Sequence, residues 1–579
     1  MAQNASYREL AQAWLAEDPD PITAGELRAL IAGCDANDPA CLKDLTERFT
    51  GALEFGTAGL RGVLGAGPQR MNRVLVRKVT AGLATYLIAN VPDARQRGVV
   101  IGHDARHNSR AFAEDTARVL GGVGIRSYLA HRPWPTPTTA WATTAQRACA
   151  GVMVTASHNP PAYNGYKVYW GNGAQIIPPH DTGIAAEIAK VGPSDRLAMP
   201  ELSDLRSRGL VIDLTEALHD EYLAQVVALR ASPGIDGRSL VIAYTPLHGV
   251  GALSVEPGLA RAGFPQVHTE PSQREPDPEF PTVAFPNPEE KGAMDRVLAL
   301  AVRIGADLVL ANDPDADRLC VAVPDPAAGA PGYRALTGDQ LGAVLADYLL
   351  EVGPRDRRMV ATTIVSSQLL GFLARQAGAD YREVLTGFKW IANAAMDYER
   401  TEGGRFVMGY EEAIGYSVGP LVRDKDGVSA AILAAELAAW NRARGRSMLE
   451  HLDDVYRKVG LFVTEQVSLT RPGSEGLAQI RDTMKRFRAQ PPRELAGHAI
   501  EAVVDLSRGE GGLPPSDVLV FKLAGGRRVI MRPSGTEPKL KNYYEVRIEV
   551  AGGEPIAAAR ARGDAELASL RDAHQRLLA

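Results

Sequence analysis

A serine follows a short apolar run in the first third of the chain. The run at 151–154 leads into Thr155-Ala156-Ser157-His158-Asn159-Pro160-Pro161. Because Asn-Pro and Pro-Pro cannot continue a strand or a helix, this pattern predicts a serine at the tip of a strand, and Asn164-Gly165 predicts a turn beyond it. A turn serine that caps the next element is the alternative. The flanking residues are not Gly-x-Ser-x-Gly, so the nucleophile elbow of serine hydrolases is absent.

Three aspartates follow a second apolar run at alternate positions, Asp313, Asp315 and Asp317. Three carboxylates this close repel one another unless a cation lies among them. Ligands that are all oxygen suit Mg²⁺ or Mn²⁺ and do not suit zinc. An EF-hand is excluded, because its sixth position would be Arg318 instead of Gly and its twelfth Pro324 instead of Glu. A solvated acidic loop without a metal is the alternative.

Further loops combine glycine with charged or hydroxyl side chains. They contain Arg61 within 54–62, Thr386 and Lys389 around a glycine, the pair Glu411-Glu412, Lys425 within 423–427, and Arg532 with Ser534, Gly535 and Thr536. Glycine lets backbone amides approach a phosphate, and Arg, Lys and hydroxyl side chains donate hydrogen bonds to it. Ionised carboxylates accept hydrogen bonds from sugar hydroxyls. Ordinary turns and surface ion pairs are the alternatives.

Loops of this kind need elements that present them at one edge of a sheet. Buried strand patterns alternate with helical patterns, as at 98–106 followed by 110–120 and again around Ser157. This alternation predicts an α/β fold, with parallel strands whose functional loops lie at their carboxyl ends. We predict four domains, at 1–205, 206–335, 336–460 and 461–579. The start of the first domain, 6–50, has the pattern of short helices that form a cap or an oligomer contact.

The composition limits the partners. The chain has 579 residues and a formal net charge of −5, with charges of both signs spread along it, so we predict neither a nucleic-acid nor a membrane partner. Its four cysteines form no Cys-x-x-Cys pair, which argues against a disulfide framework or a zinc site and favours a reducing compartment. The start lacks a signal-peptide core, and no apolar stretch has bilayer length. We therefore predict a cytoplasmic protein.

The motifs together resemble those of the α-D-phosphohexomutase superfamily, the phosphoglucomutases and phosphomannomutases. Four motifs occur in that family's order and spacing: 155–160, 313–318, 411–412 and 532–536. The likeness covers essentially the whole chain. It implies three α/β domains with mixed sheets and a smaller α+β C-terminal domain around a central cleft. It also implies small sugar phosphates as partners, Mg²⁺ as cofactor, glucose 1,6-bisphosphate or a matching sugar bisphosphate as activator, and a monomer or homodimer.

The resemblance also assigns roles by matching motif. Ser157 is then the phosphoryl carrier and, with the three aspartates, a Mg²⁺ ligand. Lys167 and Arg61 occupy the places of acid/base and charge-stabilising side chains, and His158 is counted with them as the neighbour of the nucleophile. Lys167 would serve as acid/base if nearby cations depress its pKa. The expected sugar-phosphate contacts are Arg318, Thr386, Lys389, Glu411, Glu412 and Lys425, and those to the phosphate that is not reacting are Arg532, Ser534, Gly535 and Thr536.

One position departs from the commoner pattern. Many members of the family have Gly-Glu-x-Ser at the sugar loop, whereas this chain has Ala413 where the serine would be. This version resembles the branch with phosphopentomutase-like members, as well as some bacterial phosphoglucomutases. The leading hypothesis is a mutase that interconverts glucose 1-phosphate and glucose 6-phosphate. The alternatives are a phosphomannomutase, a phosphopentomutase, or a catalytically silent sugar-phosphate-binding protein, which would be free to lose Ser157 or an aspartate.

Overall fold

The computed structural model describes residues 2–53, 59–471, 473–509, 512–534 and 539–578. The chain forms two compact units. Unit 1 comprises Met1–Ala335 with Gly415–Glu436, and unit 2 comprises Leu336–Ile414 with Leu437–Ala579. A segment from the second half of the chain therefore folds with the first half. Among the described residues, no helix has both the length and the apolar character needed to cross a bilayer.

Three helices open unit 1: α1 (Ala2–Glu17), α2 (Pro21–Asp35) and α3 (Pro39–Phe49). Asp20 and Asp38 cap the second and third of them, each followed by a proline in the first turn, as expected for helix starts. The three helices share a small apolar core that includes Trp14 and Phe49. Glu17 of α1 pairs with Lys78 at 2.7 Å. The prediction of short helices over 6–50 is confirmed, and they pack on unit 1 itself.

The first sheet of unit 1 has six strands in the order β1-β5-β4-β2-β3-β6. The strands β4, β2, β3 and β6 run parallel. Strand β5 is antiparallel to both of its neighbours, β4 and β1. The strands are β1 (Leu60–Val63), β2 (Val99–His103), β3 (Ser127–Ala130), β4 (Ala150–Val154), β5 (Tyr163–Trp170) and β6 (Val211–Leu214). The helices are α4 (Arg73–Asn90), α5 (Ala94–Arg97), α6 (Ser109–Gly122), α7 (Thr136–Ala145), α8 (His180–Ile188) and α9 (Leu202–Ser207).

A second sheet of unit 1 has the order β11-β10-β9-β7-β8. Its strands are β7 (Ile242–Thr245), β8 (Val267–Thr269), β9 (Leu308–Ala311), β10 (Cys320–Pro324) and β11 (Tyr333–Ala335). The helices are α10 (Glu216–Val227), α11 (Ala252–Arg261) and α12 (Asp295–Ile304). Strand β9 is parallel to β7 and antiparallel to β10, so the chain reverses direction between β9 and β10.

Unit 2 begins with α13 (Gly338–Val352), whose start is fixed by a capping box between Thr337 and Gln340. Strand β12 (Arg358–Thr363) pairs in parallel with β13 (Asp380–Val384) and with β14 (Arg405–Glu411). The helices α14 (Leu369–Gln376), α15 (Phe388–Glu402) and α17 (Met448–Val459) belong to the same unit. Strand β15 (Gly415–Val418) and the start of α16 (Gly427–Arg442) fold with unit 1.

The C-terminal part of unit 2 is an antiparallel sheet in the order β16-β21-β20-β19-β18-β17. The strands are β16 (Leu461–Thr470), β17 (Glu494–Leu495), β18 (His498–Asp505), β19 (Leu519–Leu523), β20 (Arg527–Pro533) and β21 (Lys539–Ile548). The helices α18 (Gly473–Ala489) and α19 (Ile556–Leu578) accompany it. An apolar cluster joins this sheet to the loops after β12 and β13, through side chains that include Ile364, Leu385 and Ile530.

Candidate active site

Ser157 lies three residues beyond the end of β4. It is 2% exposed, and its hydroxyl donates to Oδ2 of Asp313 at 2.7 Å. Its φ of 51° lies in the left-handed region, which costs a non-glycine residue about 1–2 kcal/mol. Its backbone N–H donates to Oγ1 of Thr155 at 2.9 Å, and Nδ1 of His158 lies 3.2 Å from its Oγ. The serine is therefore buried and strained, and it faces a carboxylate.

The three aspartates occupy the reversal between β9 and β10 and are all buried. One oxygen from each lies within 4.8 Å of the others. Oδ1 of Asp315 and Oδ1 of Asp317 are buried, with no hydrogen-bond partner among the described residues. A buried carboxylate oxygen without a partner costs free energy unless a ligand or an ion meets it. The donor set is hard oxygen throughout, so the cluster fits a divalent cation such as Mg²⁺.

The three carboxylates have different pKa values for a physical reason. Burial, with the charges of Asp315 and Asp317, raises the pKa of Asp313 well above its ordinary value. Burial also opposes ionisation of Asp315, but the ion pair with Lys167 outweighs it and holds the pKa of Asp315 low. For Asp317, the cations Lys167 and Lys425 outweigh burial and the charge of Asp315, and the pKa is lowered.

Lys167 lies in β5, opposite Met153 of β4. Its Nζ donates to Oδ2 of Asp315 and to Oδ2 of Asp317, both at 2.9 Å. Burial acts to lower the pKa of Lys167, but the two carboxylates outweigh burial and the nearby Lys425, so the pKa is raised. The net shift is therefore opposite to the lowered pKa on which the predicted acid/base role depended.

The sequence-based prediction of a turn at Asn164-Gly165 is wrong. Both residues lie in β5, where Asn164 pairs with Gly62 and Gly165 with Arg61 of β1. A Cβ on Gly165 would lie 2.5 Å from the carbonyl oxygen of Thr155, so glycine is needed there for close strand approach and not for a turn. The lysine reaches the aspartates because β5 runs back along β4.

Lys425 joins this cluster from the segment that folds with unit 1. Its Nζ lies 3.1 Å from Oδ2 of Asp317 and 3.1 Å from Oδ1 of Asp424. Asp424 in turn accepts hydrogen bonds from the hydroxyl of Tyr169 and the amide of Gln175, both at 2.8 Å. Two strand-associated polar groups thus hold the loop that presents the lysine. Lys425 was predicted from the sequence as a site residue, whereas Asp424 was not.

The remaining predicted residues of unit 1, Arg61, Arg318 and His158, lie close to Ser157 and to the three aspartates. Arg61 donates to Oδ1 of Asn159 at 2.8 Å. Arg318 donates its backbone N–H to Oδ1 of Asp313 at 3.0 Å. Burial, followed by the charges of Arg318 and Arg61, lowers the pKa of His158 well below its ordinary value, so its ring is neutral at neutral pH.

Two site residues gave little sequence signal. Thr136, between two prolines after β3, donates its hydroxyl to Oδ2 of Asp315 at 2.7 Å and its N–H to the Asp315 carbonyl at 2.9 Å. Arg106 donates to the carbonyl oxygen of Ser157 at 2.6 Å. Its only signal was a polar run, Asp104-Ala105-Arg106, after a buried strand.

A second group of predicted residues lies in unit 2. Oε1 of Glu411, the last residue of β14, accepts the backbone N–H of Gly387 at 2.8 Å. Oε2 of Glu412 accepts the hydroxyl of Ser366 at 3.0 Å. Thr386 precedes Gly387, and its Oγ1 is buried without a hydrogen-bond partner among the described residues. The loops after β12, β13 and β14 therefore meet at one edge of their sheet.

Arg532, near the end of β20, lies beside Tyr543 of β21. Burial and the charge of Glu412 raise the pKa of Tyr543, and Arg532 opposes them through a hydrogen bond to that side chain; Glu411 contributes a smaller raising effect. The backbone N–H of Ser534 donates to the Lys539 carbonyl at 2.8 Å.

Two of the predicted phosphate contacts, Gly535 and Thr536, lie outside the described residues. Lys389 lies in the first turn of α15 and not in the turn before it. The predicted site residues that the structure describes thus fall into one group in each unit.

Comparison with known proteins identifies the family. The phosphoglucomutase/phosphomannomutase α/β/α domains I, II and III match residues 52–194, 220–329 and 337–459, and the family's C-terminal domain matches 477–562. A mouse phosphopentomutase is 35% identical over 579 residues, covering 95% of this chain and 91% of its own. A Staphylococcus epidermidis phosphoglucomutase is 35% identical over 512 residues, covering 86% and 92%.

Further matches agree. A Haemophilus influenzae protein named "Probable phosphomannomutase" is 40% identical over 481 residues, covering 82% of this chain and 93% of its own. The fold is shared with the crystal structure of the Paramecium phosphoglucomutase parafusin, at a TM-score of 0.68 and 17% identity, covering 92% and 96%. The chain belongs to the phosphoglucomutase/phosphomannomutase family of the α-D-phosphohexomutase superfamily. It is a phosphosugar mutase, an isomerase that works by phosphoryl transfer, and the α/β fold prediction is confirmed.

Proposed function

We propose that Ser157 carries the phosphoryl group in a two-step transfer. Phosphoserine donates its phosphoryl group to the free hydroxyl of a bound sugar monophosphate. The resulting bisphosphate then reorients in the site, and its other phosphoryl group is transferred back to Ser157. The observation that carries this proposal is the 2.7 Å contact between the Ser157 hydroxyl and Asp313, inside a buried cluster of three carboxylates. A buried serine with that neighbour is poorly explained as a solvated turn residue.

The residues around Ser157 supply positioning and charge. Asp313, Asp315 and Asp317 would hold Mg²⁺, which when bound neutralises charge on the phosphoryl oxygens. Lys167 and Lys425 provide two further cations at the same carboxylates. Phosphoryl transfer depends almost entirely on such positioning and charge neutralisation. Asp315 and Asp317 hold the pKa of Lys167 above its ordinary value. Lys167 is therefore proposed as an acid/base only when these two carboxylates bind another group instead of the lysine.

The other predicted side chains are proposed to bind the sugar phosphate itself. The connection from β4 to β5 that carries Ser157 is called the serine loop. Arg61, His158 and Arg318 lie around it and are proposed to contact the reacting phosphate. In unit 2, Glu411 and Glu412 would accept sugar hydroxyls, with Thr386 and Lys389 beside them. Arg532, Ser534, Gly535 and Thr536 would bind the phosphate that is not reacting.

We propose glucose phosphate as the substrate, interconverted between the 1- and 6-phosphates, with glucose 1,6-bisphosphate as activator. The support is the S. epidermidis relative, whose name is phosphoglucomutase and which this chain matches over 86% of its length. A phosphomannomutase is the alternative that the H. influenzae relative's name favours. We further propose a cytoplasmic enzyme that acts as a monomer or homodimer.

Pentose phosphate is the second candidate, and a specific residue favours it. Ala413 follows the two carboxylates, and its methyl group offers no hydroxyl to a sugar. Relatives named phosphopentomutase, from mouse and human, match this chain over 95% of its length. The alternative from another class, a catalytically silent sugar-phosphate-binding protein, is not favoured, because Ser157 and all three aspartates are intact and the chain belongs to a family of mutases.

One experiment separates these candidates. Purified protein is given glucose, mannose, ribose and deoxyribose 1-phosphates in turn. A coupled assay measures formation of the hexose 6-phosphate or the pentose 5-phosphate. The highest kcat/KM identifies the preferred sugar. Turnover of a pentose phosphate above all hexose phosphates would overturn the glucose proposal. No turnover of any of the four, with phosphate absent from Ser157, would contradict the proposed phosphoserine mechanism.

A further inference from the structure

A buried guanidinium lies beneath the loop that carries Ser157. Arg106 follows β2 and is 4% exposed. Its Nη2 donates to the carbonyl oxygens of Ser157 and Asn159, at 2.6 and 2.5 Å. Its Nη1 donates to those of Pro160 and Tyr163, at 2.9 and 3.3 Å. One side chain therefore contacts the backbone along the whole connection from β4 to β5.

The guanidinium is itself fixed from other sides. Its Cζ lies 4.8 Å from the ring centre of the buried Phe280. Oδ2 of Asp104 lies 3.4 Å from its Nε. Oδ1 of the same carboxylate accepts the backbone N–H of Arg106 at 3.0 Å and the Ser109 hydroxyl at 2.6 Å. Because the planar group is held by stacking and by a carboxylate, the four carbonyl oxygens that it meets are held as well.

The serine loop needs such support. Ser157 has a left-handed φ of 51°, a conformation that persists in a non-glycine residue only when its surroundings hold it. A displacement of the loop backbone at the peptide after Ser157 would let the serine leave that conformation and would move its Oγ away from Asp313. The carbonyl oxygen of that peptide is the atom that Nη2 of Arg106 contacts.

We propose that Arg106 is a positioning residue for phosphoryl transfer, which holds the Ser157 Oγ against the carboxylate cluster through the loop backbone. This inference rests on the proposed role of Ser157. Arg106 contacts carbonyl oxygens of the loop, so its loss lowers kcat and leaves KM almost unchanged. The same displacement would shift Asn159, whose side chain binds Arg61.

A matched control exists in unit 2. Arg358 is also 4% exposed, and it too donates to three backbone carbonyl oxygens, those of Leu350, Pro354 and Ala377, at 2.8, 3.2 and 3.0 Å. Replacing Arg358 removes the same kind of buried guanidinium, but in unit 2 and without contact to the serine loop among its three hydrogen bonds. A loss of stability common to both arginines can thus be separated from an effect on catalysis.

The test compares Arg106→Ala, Arg106→Lys and Arg358→Ala, all assayed below their melting temperatures. We expect kcat of Arg106→Ala to fall about 100-fold, the effect of a displacement of about 1 Å, with KM within about threefold. Guanidinium ion at concentrations far below those that denature should restore part of that kcat, whereas sodium chloride should not. Arg106→Lys keeps the charge without the fork of donors and should be intermediate. Arg358→Ala should lower the Tm with kcat unchanged.

Three results would overturn the positioning role: a folded Arg106 variant with unchanged kcat, an equal loss of kcat in Arg358→Ala, or no gain from guanidinium ion. If Arg106→Ala does not fold, Arg106→Lys decides the kcat comparison. Failure of the proposed function would give a different result, because the wild-type protein would then turn over no sugar phosphate and would carry no phosphate on Ser157.

Discussion

The hydroxyl of Ser157 donates to Oδ2 of Asp313 at 2.7 Å, although 156 residues separate the two along the chain. One follows a strand of the first sheet and the other a strand of the second, so the packing of two sheets within unit 1 creates the pair. A nucleophile and a hard-oxygen cluster placed side by side define what should be measured first.

Replacement of Ser157 by alanine should abolish mutase activity. We expect kcat to fall more than about a thousandfold, because a nucleophile that forms a covalent intermediate cannot be replaced by solvent. Intact-mass spectrometry of the wild-type protein should show a phosphate adduct that maps to residues 151–167, and the Ser157→Ala variant should lack it. A phosphate on a different residue, or an alanine variant with normal turnover, would refute the assignment.

Removal of divalent ions should inactivate the enzyme. EDTA should abolish turnover and Mg²⁺ should restore it, because Asp315 and Asp317 each have a buried oxygen with no hydrogen-bond partner in the part of the chain that the structure describes. Such hard oxygen ligands suit Mg²⁺. Asp315→Asn should not recover at ordinary Mg²⁺ concentrations. The control is the surface variant Asp236→Asn, whose carboxylate pairs with the exposed Arg238, and it should recover fully. Full activity in the chelator, with no metal bound by elemental analysis, would contradict the metal site.

Arg532 and Glu411 should affect sugar preference differently. A phosphate must be bound at the end that is not reacting whichever way the sugar lies, so Arg532→Ala should weaken every substrate by a similar factor. The loss of charge-assisted hydrogen bonds costs roughly 1.5–3 kcal/mol, or about 10- to 100-fold in kcat/KM. Glu411→Gln should instead change the ranking among sugars. The informative measurement is kcat/KM for several sugar phosphates in both variants. A reordering by Arg532→Ala with uniform scaling by Glu411→Gln would mean that the two loops have exchanged roles.

The stability of the protein should fall in mild acid because of His574. Burial lowers the pKa of this residue to about 4, and it is fully buried. Its pKa is lower in the folded than in the unfolded state, so between about pH 6.5 and pH 4 the unfolded state binds more protons. The stability contributed by the neutral ring is complete above about pH 6.5 and is lost progressively as the pH falls to about 4, by about 3 kcal/mol at most.

Denaturant unfolding measured at several pH values tests this dependence. His574→Gln should flatten the decline in that window, and the exposed His268→Gln should leave it as in the unmodified protein. An unchanged pH dependence in His574→Gln would show that other groups cause the decline.

The sequence by itself determined the chemistry. Serine at the end of a strand, three aspartates at alternate positions, and the Glu411-Glu412 pair are local patterns, and each depends on a few neighbouring residues. The placement of these loops after strands followed from the same patterns, because strand and loop signals extend over only a few residues. The helices before residue 50 were predicted for the same reason.

Only the tertiary structure decided which distant groups meet. Asn164-Gly165 has the local preference of a turn, yet the pairing of β5 with β1 and β4 overrides it and directs Lys167 to the aspartates. Lys425 reaches Asp317 because residues 415–436 fold with unit 1, which no local signal shows. Arg106 has an unremarkable polar sequence around it, and its role depends on four carbonyl oxygens more than 50 residues away. Contacts of this kind depend on the packing of whole sheets, and local sequence preferences do not encode them.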